Sequence, residues 1–290
     1  MVSKAAAIIY SIVLFLVSIF GHSIATNTKN INYSFYTNAP ENYLDAIETY
    51  RRNYKSAKSS HKANYIAGIV THHFLARSLM VELFESIQNE KIGHIILIGP
   101  DHFQKGASPI SISSLNWQTS FGILKTNKRV ARNIMKVLSL TEDSSAFYGE
   151  HSIGVLVPLI KFYFPEAKVT TIMISSKAAP PQLYLLKDAL IEETRKPNTF
   201  ILLSSDFSHG ANLVTTIGRD VESRNILSTM DIVKIMSMNI DCRKGLWLVM
   251  NILKEIDRTN IVFLNHSTSD DFSPTKTGRN LTSYYSVLFN

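Results

Sequence analysis

Ile95-Ile96-Leu97-Ile98-Gly99-Pro100-Asp101-His102 reads as a short strand that breaks at Gly-Pro and delivers an aspartate and a histidine at its exit. An uncharged run of this length suits a strand covered on both faces. The same grammar occurs twice more. Ile69-Val70-Thr71 runs into His72-His73, and Ile201-Leu202-Leu203 runs into Ser204-Ser205-Asp206-Phe207-Ser208-His209. Around these runs the pattern predicts a strand over 65–71, a helix over 75–89 with Leu75, Leu79 and Leu83 on one stripe, and a strand over 94–98. That is a βαβ unit.

Working outward, residues 110–124 look antiparallel, and helices are expected over 128–140 and 152–164. A strand over 168–174, a helix over 183–194 and a strand over 199–203 follow. A helical region from 216, a helix over 243–256 and strands over 261–265 and 283–289 complete the pattern. Helices alternating with short apolar strands predict a three-layer α/β fold whose central sheet is mostly parallel, with antiparallel edges. No internal repeat is present.

The chain has 290 residues, 45% hydrophobic and 18% charged, which suits one large globular domain without disulfides. The net charge of +7 is scattered rather than gathered into basic blocks, which argues against a nucleic-acid partner. Cys242 is the single cysteine, so no intramolecular disulfide forms.

Residues 5–20 carry no charge and follow Lys4, and Ser23-Ile24-Ala25 offers small residues in the spacing a signal peptidase prefers. Residues 1–25 are therefore read as an export signal, with an uncleaved membrane anchor and a buried first helix as alternatives. Contact with a membrane is expected only through this segment, and the location is extracytoplasmic or membrane-anchored. Residues 26–60 are a polar lead-in with one helix near 43–54, and residues 61–290 form the α/β domain.

In a parallel sheet the exits of the three strands share one edge, where open α/β sheets place their ligand crevice. His72, His102, Asp206 and His209 are thus expected to converge. One histidine would mean little, because lone histidines are mostly surface or satisfied core residues. Three repeats of the pattern carry the argument. Asp241 reads as an N-cap for the helix containing Leu246, Val249, Met250 and Leu253, which puts Cys242 in the first turn. The helix dipole, with Arg243 and Lys244 alongside, is expected to lower the thiol pKa. The bland alternative is a small buried hydrophobe.

Two imidazoles and a thiolate leave coordination positions open, as a catalytic metal site needs, and suit iron(II), copper or zinc better than magnesium or calcium. Asp206 and His209 are three apart, so one helical turn would put them on one face. His209 would then act as acid or base, while Asp206 orients it or adds a ligand. Glu150-His151-Ser152 marks a helix start, with capping as its simplest role.

Six segments together resemble the Memo family, also called AmmeMemoRadiSam system protein B. In order they are 67–73, Ile98-Gly99-Pro100-Asp101-His102, Trp117-Gln118-Thr119 with Phe121-Gly122, Glu150-His151-Ser152-Ile153, 204–209, and Asp241-Cys242-Arg243. The resemblance implies a fold like the class III extradiol (LigB-type) dioxygenases. It also implies a metal site of His72, His102 and Cys242, completed by Asp206 and His209, with cysteine in place of the dioxygenases' carboxylate. Thr71, His73, Asp101 and Gly154 depart from the family's usual residues, and none of the four is a proposed ligand.

Three function classes fit these residues. The first is a redox enzyme in which iron(II) or copper meets dioxygen or a small-molecule substrate. The second is a metal- or ligand-binding module without turnover. The third is a zinc-dependent hydrolase.

Overall fold

A computed structural model describes residues 30–31, 39–54 and 64–290. The expected signal or anchor, residues 1–25, lies outside the described residues. Among those described, no helix is long and apolar enough to cross a membrane.

The strands are β1 (Asn30–Ile31), β2 (Ala67–Val70), β3 (His94–Pro100), β4 (Ile110–Ile112), β5 (Asn116–Thr119), β6 (Gly122–Leu124), β7 (Lys168–Ile174), β8 (Thr199–Ser204), β9 (Ile261–Thr268) and β10 (Ser283–Phe289). The helices are α1 (Pro40–Asn53), α2 (Arg77–Ile87), α3 (Lys128–Val137), α4 (His151–Gly154), α5 (Val157–Tyr163), α6 (Pro180–Thr194), α7 (Leu213–Ser228) and α8 (Arg243–Glu255). A seven-stranded sheet runs β4-β7-β3-β8-β2-β10-β9. Its four middle strands are parallel, and β4, β10 and β9 pair antiparallel at the two sides. The residues expected as one antiparallel stretch, 110–124, divide between β4 on this sheet and a small sheet of β1, β5 and β6.

The strand sequences explain the three layers. Along β3, Ile96 and Ile98 join one apolar cluster, with residues of α3, α6 and α8, while Ile95 and Leu97 join the other, with residues of α1, α2 and α5. A period of two with both faces covered leaves nothing polar inside, and all four side chains are 0% exposed. The expected helix over 152–164 is two pieces, because Pro158 near the start of α5 has no N–H to continue the earlier turn. Part of the lead-in is packed rather than loose. Tyr43, Ala46 and Ile47 of α1 are buried, and Tyr43 Oη donates to the Val155 carbonyl at 3.1 Å.

Helices α7 and α8 dock by different means. The inner face of α8 is aliphatic, with Leu246, Val249, Met250 and Leu253 buried. Over most of its length α7 turns Thr216, Asp220 and Ser223 inward and leaves Val214 and Val221 exposed, with Ile226 and Leu227 buried near its end. Asp220 ties it down: Oδ1 accepts from Ser283 Oγ at 2.6 Å, Oδ2 lies 2.8 Å from His266 Nε2, and its carbonyl accepts from Tyr285 Oη at 2.9 Å.

Candidate metal centre

β3, β8 and β2 are neighbours in the sheet, so their carboxyl ends open side by side. Val70 stands level with Ser204, and Leu203 with Ile98. The residues that follow, Thr71-His72, Ser205-Asp206 and Asp101-His102, therefore surround one crevice. The start of α4 closes against the end of β3, where Ser152 Oγ donates to the Pro100 carbonyl at 2.8 Å. A Cβ at Gly99 would lie 2.9 Å from that hydroxyl, so this approach depends on glycine.

Each of two imidazoles is fixed through one nitrogen and presents the other. His72 is 2% exposed, with Nδ1 2.9 Å from Ser204 Oγ. The Ser204 proton is committed to the Ser152 carbonyl at 2.6 Å, so the hydroxyl oxygen accepts and Nδ1 carries the hydrogen. His102 Nδ1 donates to Glu150 Oε1 at 2.9 Å, and its backbone N–H donates to Glu150 Oε2 at 2.9 Å. Glu150 also caps α4 by accepting from the Ser152 N–H at 2.9 Å. The expected capping role and the orienting of His102 are thus carried by one carboxylate.

Both free Nε2 atoms face Asp241. Its Oδ1 accepts from Ser205 Oγ at 2.7 Å and from the Asp206 N–H at 3.1 Å. Its Oδ2 lies 3.2 Å from His72 Nε2 and 3.6 Å from His102 Nε2. Asp206 adds Oδ2 at 3.7 Å from His72 Nε2, while its Oδ1 accepts from the hydroxyl of Thr71, one of the residues that departs from the family pattern. Ligand atoms about 2.1 Å from an ion lie roughly 3.0 Å apart at a right angle and roughly 3.4 Å apart at a tetrahedral angle. The observed separations match the edges of such a polyhedron, and two nitrogens with carboxylate oxygens form a transition-metal donor set.

Without an ion, protons take its place. Burial pulls the His72 pKa down, but the Asp206 and Asp241 carboxylates outweigh it and the value rises. Burial likewise opposes the charge on His102, yet Asp241 and Glu150 hold its pKa up at about 10. Burial would raise the Asp241 carboxyl, but His72 and His102 keep it well below the usual range. The Glu150 carboxyl is also lowered against its burial, chiefly by His102.

His151 is the third ring. It stacks on His102 with centroids 4.4 Å apart and planes 17° apart, and meets His72 edge-on at 5.0 Å. Burial and the charges of His72 and His102 lower its pKa to about 4. Ligand atoms lie within 4.8 Å of one another in two sets, His72 with His102 and His151, and His72 with Asp206 and Asp241. A nitrogen lone pair lies in the plane of its ring, so two nearly parallel rings do not aim at one ion. In this arrangement His151 covers the face of His102.

The structure brings His72, His102 and Asp206 together and places Cys242 and His209 differently. Cys242 belongs to neither set, and it is itself the N-cap residue of α8, with Asp241 turned to the pocket. Its thiol joins an apolar cluster with Ile98 and Leu203. A Cβ at Gly245 would lie 2.5 Å from Sγ, which glycine at that position avoids. The expected lowering of the thiol pKa is reversed, because burial, and then the Asp241 charge, push it well above the ordinary value. Asp206 and His209 do not share a helical turn either. Residues 205–208 are not helical, so Asp206 is buried while His209 is exposed.

The sequence offers Asp241 only as a cap and Ser204 only as part of a strand-exit motif, and it gives no sign that these two and Glu150 line or orient the pocket. The available signal for Asp241 was a second polar residue beside Cys242, which an N-cap explains equally well.

A three-layer sheet with an imidazole- and carboxylate-lined pocket beyond its parallel strands defines the LigB/Memo-like class of α/β scaffolds. Comparison with known proteins narrows this, because a family model described as Memo-like protein matches residues 30–284. The chain belongs to the Memo-like family. It is 28% identical over 206 residues to a MEMO1 family protein of Pyrobaculum arsenaticum, covering 68% of this chain and 72% of the relative. A MEMO1 family protein of Pyrobaculum aerophilum is 28% identical over 204 residues, covering 67% and 71%. One from Nitrosopumilus maritimus is 24% identical over 199 residues, covering 65% and 71%.

Proposed function

We propose that this pocket binds a divalent transition ion, iron(II) or copper ahead of zinc, and serves as a metal-dependent redox centre. The observation that supports it is the convergence of His72 Nε2 and His102 Nε2 on Asp241 Oδ2, at 3.2 and 3.6 Å. Two imidazoles and one carboxylate with open positions are the set that suits iron(II) in non-heme oxygenases. The family resemblance offers Cys242 as the third ligand instead, and a buried thiol gives up its proton when it binds a metal. When bound, the ion would supply electron transfer toward dioxygen or a small organic substrate.

The chain's own residues do the rest. Ser204 and Glu150 hold the Nδ1 hydrogens, so both Nε2 atoms stay directed inward. Asp206, fixed by Thr71, faces His72, and His209, at the exposed end of the same segment, is the candidate acid or base. We read residues 1–25 as export or anchoring, so the ion would be acquired outside the cytoplasm.

Elemental analysis of protein purified without oxygen tests the reading. About one iron or copper per chain is expected in the unsubstituted protein, and none in His72→Ala or His102→Ala. Full retention in both variants would refute it. Loss in Asp241→Asn with retention in Cys242→Ser assigns the carboxylate, and the reverse assigns the thiol. Oxygen uptake under a reductant separates a redox enzyme from a binding module. Native zinc with ester turnover would replace the proposal by a hydrolase.

A further inference from the structure

Arg219 of α7 is anchored beside this pocket by neutral groups only. Its Nη1 donates to Asn239 Oδ1 at 3.2 Å, to the His209 carbonyl at 3.3 Å and to Ser208 Oγ at 3.5 Å. Asn239 Oδ1 also accepts the His209 N–H at 2.8 Å, so one amide fixes both the arginine and the loop. The same loop is held from the other side, where Ser283 Oγ accepts from the Ser208 N–H at 2.9 Å and donates to Asp220, next to Arg219 on the helix.

Three other arginines are committed to an acid or a ring. Arg129 forms a two-pronged pair with Glu193, Arg51 pairs with Glu85, and Arg224 lies over the Phe263 ring at 4.0 Å. Among the described residues no carboxylate pairs with Arg219, and all three of its contacts use one nitrogen. The Nη2–Nε edge of the fork has no hydrogen-bond partner among the described residues. A guanidinium half-removed from water, held in position and lacking a counter-charge is prepared for a planar anion that bonds two N–H groups together.

Arg219 grips Ser208, two residues past Asp206, and Asn239, two residues before Asp241, so it is tied to both segments that line the pocket. Two residues span at most about 7 Å of backbone, which keeps the guanidinium beside the crevice. A single positive charge beside a pocket already holding Asp206, Asp241 and Glu150 favours a monoanion over a phosphate dianion. Building on the redox-centre reading, we infer that the substrate of this pocket is a small monocarboxylate whose carboxylate docks on Arg219.

Benzoate serves as the probe, with neutral benzamide as its isosteric control, both titrated calorimetrically against metal-free and iron(II)-loaded protein under anaerobic conditions. Benzoate is expected to bind at least about tenfold tighter than benzamide. Arg219→Gln should erase that ratio and Arg219→Lys should restore part of it. Arg195→Gln, at the opposite edge of the sheet, should leave it intact. Absence of benzoate binding overturns the inference, as does an unchanged ratio in Arg219→Gln. A lowered melting temperature in Arg219→Gln with the ratio preserved would make the arginine a loop fastener and also overturn it. Tighter, Arg219-dependent binding of phenyl phosphate would overturn the carboxylate assignment. Failure of the chain to retain metal defeats the redox-centre reading, whereas the benzoate-to-benzamide ratio of the metal-free protein still tests the docking site.

Discussion

The interior of β3 and the polar residues beyond its neighbouring strands follow opposite rules. Ile95 to Ile98 are fully buried and apolar, and any side chain of suitable volume and shape would serve there. At the exits of β2 and β8 and in the segment leading into α8, His72, Ser204, Asp206 and Asp241 are also withdrawn from water. Each of them holds a specific hydrogen-bond partner or opposite charge. Stability is concentrated in the first region, where burial scales with area. Chemistry is concentrated in the second, where an unpaired group would cost about 1–3 kcal/mol.

Truncating a strand interior is the most severe test of this contrast. Leu97→Ala is expected to cost about 2–5 kcal/mol in denaturant unfolding, with the folded fraction still holding metal at the wild-type ratio. Metal loss at equal severity would mean that the two regions are not separable. A smaller effect sharpens the comparison from the other side. Glu150→Gln keeps the shape but not the charge that holds His102 Nδ1–H. A fall of about 10- to 100-fold in metal affinity by competition with a chelator is expected, together with a loss of about 1–3 kcal/mol in unfolding, because the amide NH2 meets N–H donors where a carboxylate oxygen accepted.

The smallest effect is a pH slope. The folded pKa of His102 is about 10 against an ordinary 6.5, so its protonated ring stabilises the metal-free protein fully below about pH 6.5. That stabilisation is lost as pH rises toward about 10. The melting temperature of metal-free protein should therefore fall across this window, and the fall should be weaker in His102→Gln. Metal-loaded protein should respond in the opposite sense, because the ion needs unprotonated rings and is released as pH drops. Parallel slopes for the two forms would break the link between proton and ion.

The sheet was legible because apolar runs of five to seven residues have few alternatives once helices alternate with them. Three of the pocket's corners were legible for a related reason, since histidine and aspartate followed directly on those runs. What stayed hidden was orientation. An aspartate before an apolar helix is so commonly a cap that nothing in Asp241-Cys242-Arg243 tells which side chain enters the pocket, and the structure turns the carboxylate in and the sulfur down. A three-residue spacing implied a shared face for Asp206 and His209 only if the segment were helical. The polar composition of 26–60 likewise masked the apolar stripe of Tyr43, Ala46 and Ile47.

Cys242 is the chain's sole cysteine and is 2% exposed beneath the crevice. While the fold is intact, alkylating reagents have almost no access to it, and two copies cannot be crosslinked through sulfur. Its labelling rate then measures how often the floor of the crevice breathes, so the native molecule carries its own chemical reporter of opening without any introduced probe.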